Sequence, residues 1–352
     1  MSDVQGESVM RFLSIALAAT AALAASAHAA EPSKVDPAFL PYEKPGVFAK
    51  LANGQTIHIK CMGEGSPTVI LTAGLGDWSG AWRKVQPEIA RTTRACAWDR
   101  PGFGFSSGTS RPQTVLDTTA DLEAALKLAK IRGPYIAVGH SLGGYESLLF
   151  KDHNPGSVVG MVLVDPSIPD QQRRFRKAAP AMEASFAKFH ADQASLLHRC
   201  LAGLRSGKLK IGGPDPDGCL GFPPEYPAPL TAALARRDTN PLRFTAFISL
   251  SENFDRDGTL VMNPKRHYGT MPLIVLTAAD AAPLPDQTPA AVQAMPQLMK
   301  EFSKAHDEIA ALSTRGVNRT IAHSTHYIQY DQPQAVIDAI KEVVAAARSP
   351  KQ

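Results

Sequence analysis

Several things are scarce in this sequence, and each scarcity narrows the reading. Acidic and basic residues nearly balance, with a net charge of +4 over 352 residues. No basic run is interleaved with aromatics, so nothing marks a nucleic-acid-binding surface. No His, Cys and carboxylate cluster has zinc-like spacing, and the glycines do not form a nucleotide loop. No metal, no cofactor and no nucleic acid are therefore expected. The charge-free run Phe12 to Ala27 is too short and too weakly apolar for a membrane span. There are only four cysteines.

What is present is ordinary globular material: 44% hydrophobic and 20% charged residues, enough for a large core. The N-terminus carries a specific signal. Met10-Arg11 precedes the alanine-rich run, which ends in Ala27-His28-Ala29. A basic start, a short apolar segment and small residues at a cut site describe a secretory leader over residues 1–30. Asp3 and Glu7 are foreign to such a leader, which makes Met10 an alternative start, and an uncleaved anchor is the other reading. The leader predicts an exported protein, periplasmic or secreted, with no stable membrane insertion once it is removed.

Export changes the meaning of the cysteines. Cys200 and Cys219 bracket the turn-rich stretch RSGKLKIGGPDPDG. A disulfide closing a loop of that size stabilises by about 3 kcal/mol in the chain-entropy model. Four reduced, buried thiols are the alternative.

After an extended arm over 31–45, short apolar runs punctuated by glycine recur: TIHIKCM (56–62), TVILTAG (68–74), TRACAWD (93–99), YIAVG (135–139), GMVLVD (160–165), PLIVLTA (272–278) and VNRTIA (317–322). The later runs alternate with helical stretches at 118–131 and 334–347. In the first of these, Asp121, Leu122, Ala125 and Leu128 have the three-and-four spacing of an amphipathic helix. Wholly apolar strands alternating with helices predict a mostly parallel sheet covered on both faces. Residues 167–266 break the rhythm with polar, proline-rich helical sequence. They read as a helical cap inserted between a first core part (31–166) and a second (267–352). Ligands of open α/β sheets bind at the strands' carboxyl edge, so such a cap would wall a pocket.

Gly139-His140-Ser141-Leu142-Gly143 follows one strand-like run and precedes a helical one. The G-x-S-x-G pattern in that setting is a nucleophile elbow, a turn so tight that glycine is needed two residues either side of the serine. Ser141 is thus the candidate nucleophile, and it needs a base. His326, in a loop between the last strand-like run and the last helix, is the candidate; His323 is its neighbouring competitor. His140 is expected to pack beneath the elbow without moving protons. For the acid that orients the histidine, Asp280 follows the PLIVLTA run and keeps the order Ser…Asp…His. Asp165, at the end of GMVLVD, and Asp286 are the alternatives. The amides of Leu142 and Leu75 are the expected oxyanion-hole donors, Leu75 lying between Gly74 and Gly76 in the loop LTAGLGDWSGAW.

With GEGSPTVILTAGLG (63–76), WDRPGFGFS (98–106), GHSLGG (139–144) and STHYIQYDQP (324–333) in place, the chain resembles the α/β-hydrolase superfamily from about residue 47 to 347. The resemblance implies an eight-stranded, mostly parallel sheet with a cap after the sixth strand. It supports Ser141 as nucleophile and His326 as base. Two departures stand out: Ala73-Gly74 replaces the usual His-Gly, and the acid region reads Ala278-Ala279-Asp280 without its common glycine. In this superfamily the second strand lies beside the fourth, which would make Cys61 and Cys96 cross-strand neighbours. That implies Cys61–Cys96 and Cys200–Cys219, one of three possible connectivities. The expected activity is cleavage of a carboxylic ester, thioester or lactone in a small acyl substrate through an acyl-enzyme. The alternatives are amide or carbon–carbon bond hydrolysis on the same triad, or a catalytically idle binding protein of this fold.

Overall fold

The apolar runs form the sheet. In a computed structural model, which describes residues 35–280, 284 and 287–349, eight strands run in the order β1-β2-β4-β3-β5-β6-β7-β8. They are β1 (Val47–Lys50), β2 (Thr56–Met62), β3 (Thr68–Thr72), β4 (Ala95–Trp98), β5 (Tyr135–His140), β6 (Val158–Val164), β7 (Leu273–Ala278) and β8 (Gly316–Ile321). The antiparallel pairs are β1–β2 and β2–β4; from β4 onward every pair is parallel. The proposed leader over 1–30 and Asp286 lie outside the described residues.

Both faces are covered, which is why the central strands are apolar throughout. Their alternation sorts side chains into two cores. Ile70, Ala137 and Leu163 face helices α2 (Val115–Leu128), α3 (Leu142–His153) and α9 (Pro289–Ala310). Val69, Leu71, Ile136 and Val138 face α1 (Gln86–Ala90) and α11 (Pro333–Arg348). A capping box starts α2: Thr114 and Asp117 bond each other's backbone N–H groups.

The one strand not singled out in the sequence is β1. It has four residues and a single inward side chain, Ala49, while Val47 and Phe48 are exposed. The resemblance, not the pattern, called for it.

Between β6 and β7 the chain leaves the sheet through α4 (Gln171–Ala178), α5 (Glu183–Arg205), α6 (Ala228–Asp238), α7 (Leu242–Glu252) and α8 (Phe254–Leu260), with no strand among them. The short α10 (Ile328–Asp331) precedes α11. Among the described residues no helix is long and apolar enough to cross a membrane.

Both expected disulfides are formed. Cys61 and Cys96 stand directly opposite in the β2–β4 register, their Cα atoms 4.0 Å apart. Cys200, near the end of α5, joins Cys219 with Cα atoms 5.5 Å apart and closes part of the connection from α5 to α6.

Candidate active site

Parallel strands place their carboxyl ends on one edge of the sheet, and the candidate residues follow those ends. Ser141 joins β5 to α3 with φ 53° and ψ −122°, a conformation that L side chains rarely adopt. The flanking glycines are sterically required. A Cβ on Gly139 would lie 2.2 Å from the Gly143 carbonyl oxygen, and one on Gly143 would lie 2.5 Å from that of Thr72. The amide of Leu142 opens α3, so no carbonyl one turn back can bond it. The N-terminal end of the helix dipole lies at the serine.

His326 lies in the turn after β8, and its Nδ1 is 2.7 Å from Oδ2 of Asp165. Here the sequence expectation is corrected. The acid facing the histidine is Asp165, not Asp280. Asp165 directly follows β6, with φ 41°. Its backbone N–H donates to the Leu276 carbonyl at 2.7 Å, and its Oδ1 accepts from the Ala278 amide at 2.9 Å. These bonds aim the carboxylate across the end of β7 at His326. Asp280 is exposed past β7, tied by its backbone N–H to the Ser324 carbonyl at 3.0 Å. His323 is exposed as well, with φ 56°. Burial pushes the Asp165 carboxyl up. The hydrogen bond and charge of His326 outweigh it, with help from His306 and the Ala278 amide, and hold the carboxyl below its ordinary range.

The neighbouring His140 is 1% exposed, and its Nε2 lies 2.9 Å from the His326 carbonyl oxygen. Burial, with His326 beside it, lowers its pKa to about 3. The ring is therefore neutral near pH 7, and Nε2–H donates to that carbonyl. Its role is to hold the backbone of His326, which fits a side chain that moves no proton.

The loop after β3 completes the floor. A Cβ on Gly74 would lie 2.9 Å from His140 Nδ1 and 3.3 Å from the Ser141 Cβ, so the loop packs closely against the elbow. Two residues of the WDRPGFGFS stretch brace it, a role that sequence reasoning missed. Buried Arg100 donates to the carbonyls of Ala73 (2.6 Å) and Gly74 (2.9 Å), and its Nε donates to Glu146 on α3 at 2.8 Å. Asp99 accepts from the amides of Ser79 (2.6 Å) and Phe105 (2.7 Å) and pairs with His58 Nδ1 at 2.7 Å. The signal was two adjacent charges in an otherwise buried strand end; most of their targets are backbone atoms, which no motif spells out.

Ser141, His326, His140 and Leu75 all line one cavity of about 610 Å³, roofed by α5, α7 and the start of α8. From the inserted segment Phe189, Phe247 and Phe254 line this cavity, whereas Phe244 is buried in packing. Among the described residues no group of three or more His, Cys, Asp or Glu side chains could hold a metal ion.

The model of the "Alpha/beta hydrolase family" matches residues 69–339. Curated relatives match over shorter stretches. "Lipase LipV" of Mycobacterium tuberculosis is 30% identical over 37% of this chain and 49% of its own. A 2-hydroxy-6-oxo-2,4-heptadienoate hydrolase of Pseudomonas putida is 33% identical over 32% of this chain and 42% of its own. The chain spans less than two thirds of the length of the curated relatives it matches. Among solved structures, a thermophilic esterase from Thermogutta terrifontis superposes with a TM-score of 0.54 at 17% identity, over 87% of this chain and 100% of that one. At that identity the likeness concerns the fold.

Proposed function

We propose that this chain, which belongs to the alpha/beta hydrolase family, is an exported serine hydrolase that cleaves carboxylic esters through Ser141, His326 and Asp165. The observation that carries the reading is the 2.7 Å contact of His326 with Asp165, on the same cavity as a strained serine elbow. With Nδ1–H donated to the carboxylate, the His326 ring keeps a lone pair on Nε2. In the first step Ser141 Oγ attacks the ester carbonyl carbon while His326 Nε2 takes its proton. The oxyanion is met by the amides of Leu142 and Leu75. Collapse expels the alcohol, which takes the proton from His326. Water, deprotonated by His326, then releases the acid and regenerates Ser141.

A lipase among the similar proteins supports the ester reading. The heptadienoate hydrolase keeps carbon–carbon cleavage as the second reading. Export is supported by the leader-like N-terminus and by the two disulfides, which persist in oxidising compartments.

The test is intact-mass spectrometry before and after a fluorophosphonate, with the adduct mapped by peptide. One adduct on Ser141, absent from Ser141→Ala, is expected. A folded protein that takes no adduct would contradict the reading.

A further inference from the structure

Beyond the main cavity lies a second, of about 380 Å³, between α4, α5 and the start of α8. The two share a boundary: His190 and Gln193 on α5, Ser251 on α7 and Phe254 at the start of α8 line both. The helix explains the continuity. Phe186, His190, Gln193 and Leu197 are spaced four, three and four residues apart, one stripe of α5. Phe186 lines the second cavity and Leu197 the main one. Eleven residues of helix make a trough of about 16 Å.

The stripe is apolar at both ends and polar in the middle. Phe175 and Phe186, whose rings lie 6.0 Å apart, line the far chamber; Leu75, Leu197 and Phe247 line the near one. At the boundary the Ser251 hydroxyl oxygen is buried and has no hydrogen-bond partner among the described residues. A buried hydroxyl left unpaired is costly, so a ligand that pairs it recovers that cost. Gln172 Nε2 lies 3.3 Å from His190 Nε2; with the amide donating to a neutral ring, Nδ1–H is left as the imidazole's donor. The Gln193 amide adds a further N–H. His190, Gln193 and Ser251 thus bring three donor-bearing side chains to the boundary shared by the two chambers.

We propose that Ser251, His190 and Gln193 form a polar waist that binds a second carbonyl oxygen of the substrate. The scissile ester then lies at Ser141, and the arm beyond the waist packs on Phe175 and Phe186 in the far chamber, which Arg176, Glu183, Glu252 and Asp255 also line. The substrate class is an ester whose acyl chain carries an internal ester or amide, rather than a plain fatty ester. This inference rests on the ester-hydrolase reading of Ser141.

Two p-nitrophenyl esters of equal chain length separate the possibilities, one with an internal ester and one with methylenes in its place, with p-nitrophenyl butyrate alongside. Wild-type protein is expected to favour the internal ester by about tenfold in kcat/KM, one good hydrogen bond's worth. Ser251→Ala is expected to bring that ratio close to one. Phe186→Trp, which narrows the far chamber, is expected to lower the ratio of either long ester to butyrate. Equal turnover of the two long esters by the wild type, with butyrate still cleaved, would overturn the waist and leave the esterase reading standing. No turnover of any ester, together with an unlabelled Ser141, would remove the reading on which the waist rests, and the waist with it.

Discussion

At the residue scale, the histidine beside the nucleophile has a task that the G-x-S-x-G pattern does not specify. His140 Nε2 holds the His326 carbonyl at 2.9 Å from a fully buried position. Removing that bond should let the turn that carries the base relax. His140→Phe is therefore expected to lower kcat by up to about tenfold, the scale of one neutral hydrogen bond. His140→Gln keeps an N–H donor and should recover part of the loss. Steady-state kinetics on a short ester, with circular dichroism to confirm folding, checks both variants; equal losses would argue against a backbone-holding role. The same ring affects stability. Its folded pKa near 3 lies below the unfolded value of about 6.5. Between those values the unfolded chain binds the extra proton, so stability falls as pH drops, by up to about 1.4 kcal/mol per pH unit. Denaturant titrations from pH 7 to 4 should show a shallower loss for His140→Gln than for the wild type.

At the element scale, the elbow and the loop facing it are fitted backbone to backbone. The Cβ of Gly143→Ala would lie 2.5 Å from the Thr72 carbonyl oxygen and 2.8 Å from that of Ala73, so β3 or α3 must move. That variant is expected to lower the melting temperature by several degrees, the scale of an overpacked core, and to lose activity with it. The inserted helices have a different vulnerability. Cys200–Cys219 closes a 19-residue separation from near the C-terminal end of α5, the helix that roofs the cavity. Replacing both cysteines by alanine is expected to cost about 3 kcal/mol of stability. Unfolding curves of the double variant and the oxidised wild type compare the two directly; coincident curves would show that the bridge constrains little.

At the scale of the whole molecule, the sequence made most of the sheet legible because both of its faces are buried. Strands such as TVILT and LIVLTA then read as unbroken apolar runs bounded by turns. β1 was not legible from pattern, since four residues with one buried side chain carry no periodicity. The serine and histidine were legible because local chemistry marks them: glycines that a tight turn demands, and a loop position after the last strand. The acid was harder. Asp165 and Asp280 both end a strand, and sequence order favoured the later one. What decides between them is three-dimensional. β6 and β8 flank β7, and the bonds of Asp165 to Leu276 and Ala278 carry its carboxylate over β7 to the histidine. Arg100 escaped notice for a related reason, since its partners at Ala73 and Gly74 are backbone carbonyls that look the same in every sequence. A titration that belongs to the whole fold involves Asp257, which is fully buried and whose pKa burial raises to about 7. Its folded pKa exceeds the unfolded value of about 3.9, so its contribution is greatest at low pH and is lost as pH rises through 7. Asp257→Asn should remove that loss and make the protein relatively more stable at pH 8 than the wild type, as judged by thermal melts at pH 5 and 8.

The central claim is that Asp165 orients His326 for a reaction at Ser141, and the most direct measurement is kcat of Asp165→Asn beside Asp280→Asn on p-nitrophenyl butyrate. An amide at 165 cannot enforce the working tautomer of His326. Its kcat is expected to fall by about three to four orders of magnitude, while Asp280→Asn stays close to wild type. A large loss at 280 with little at 165, or no loss at either, would contradict the assignment.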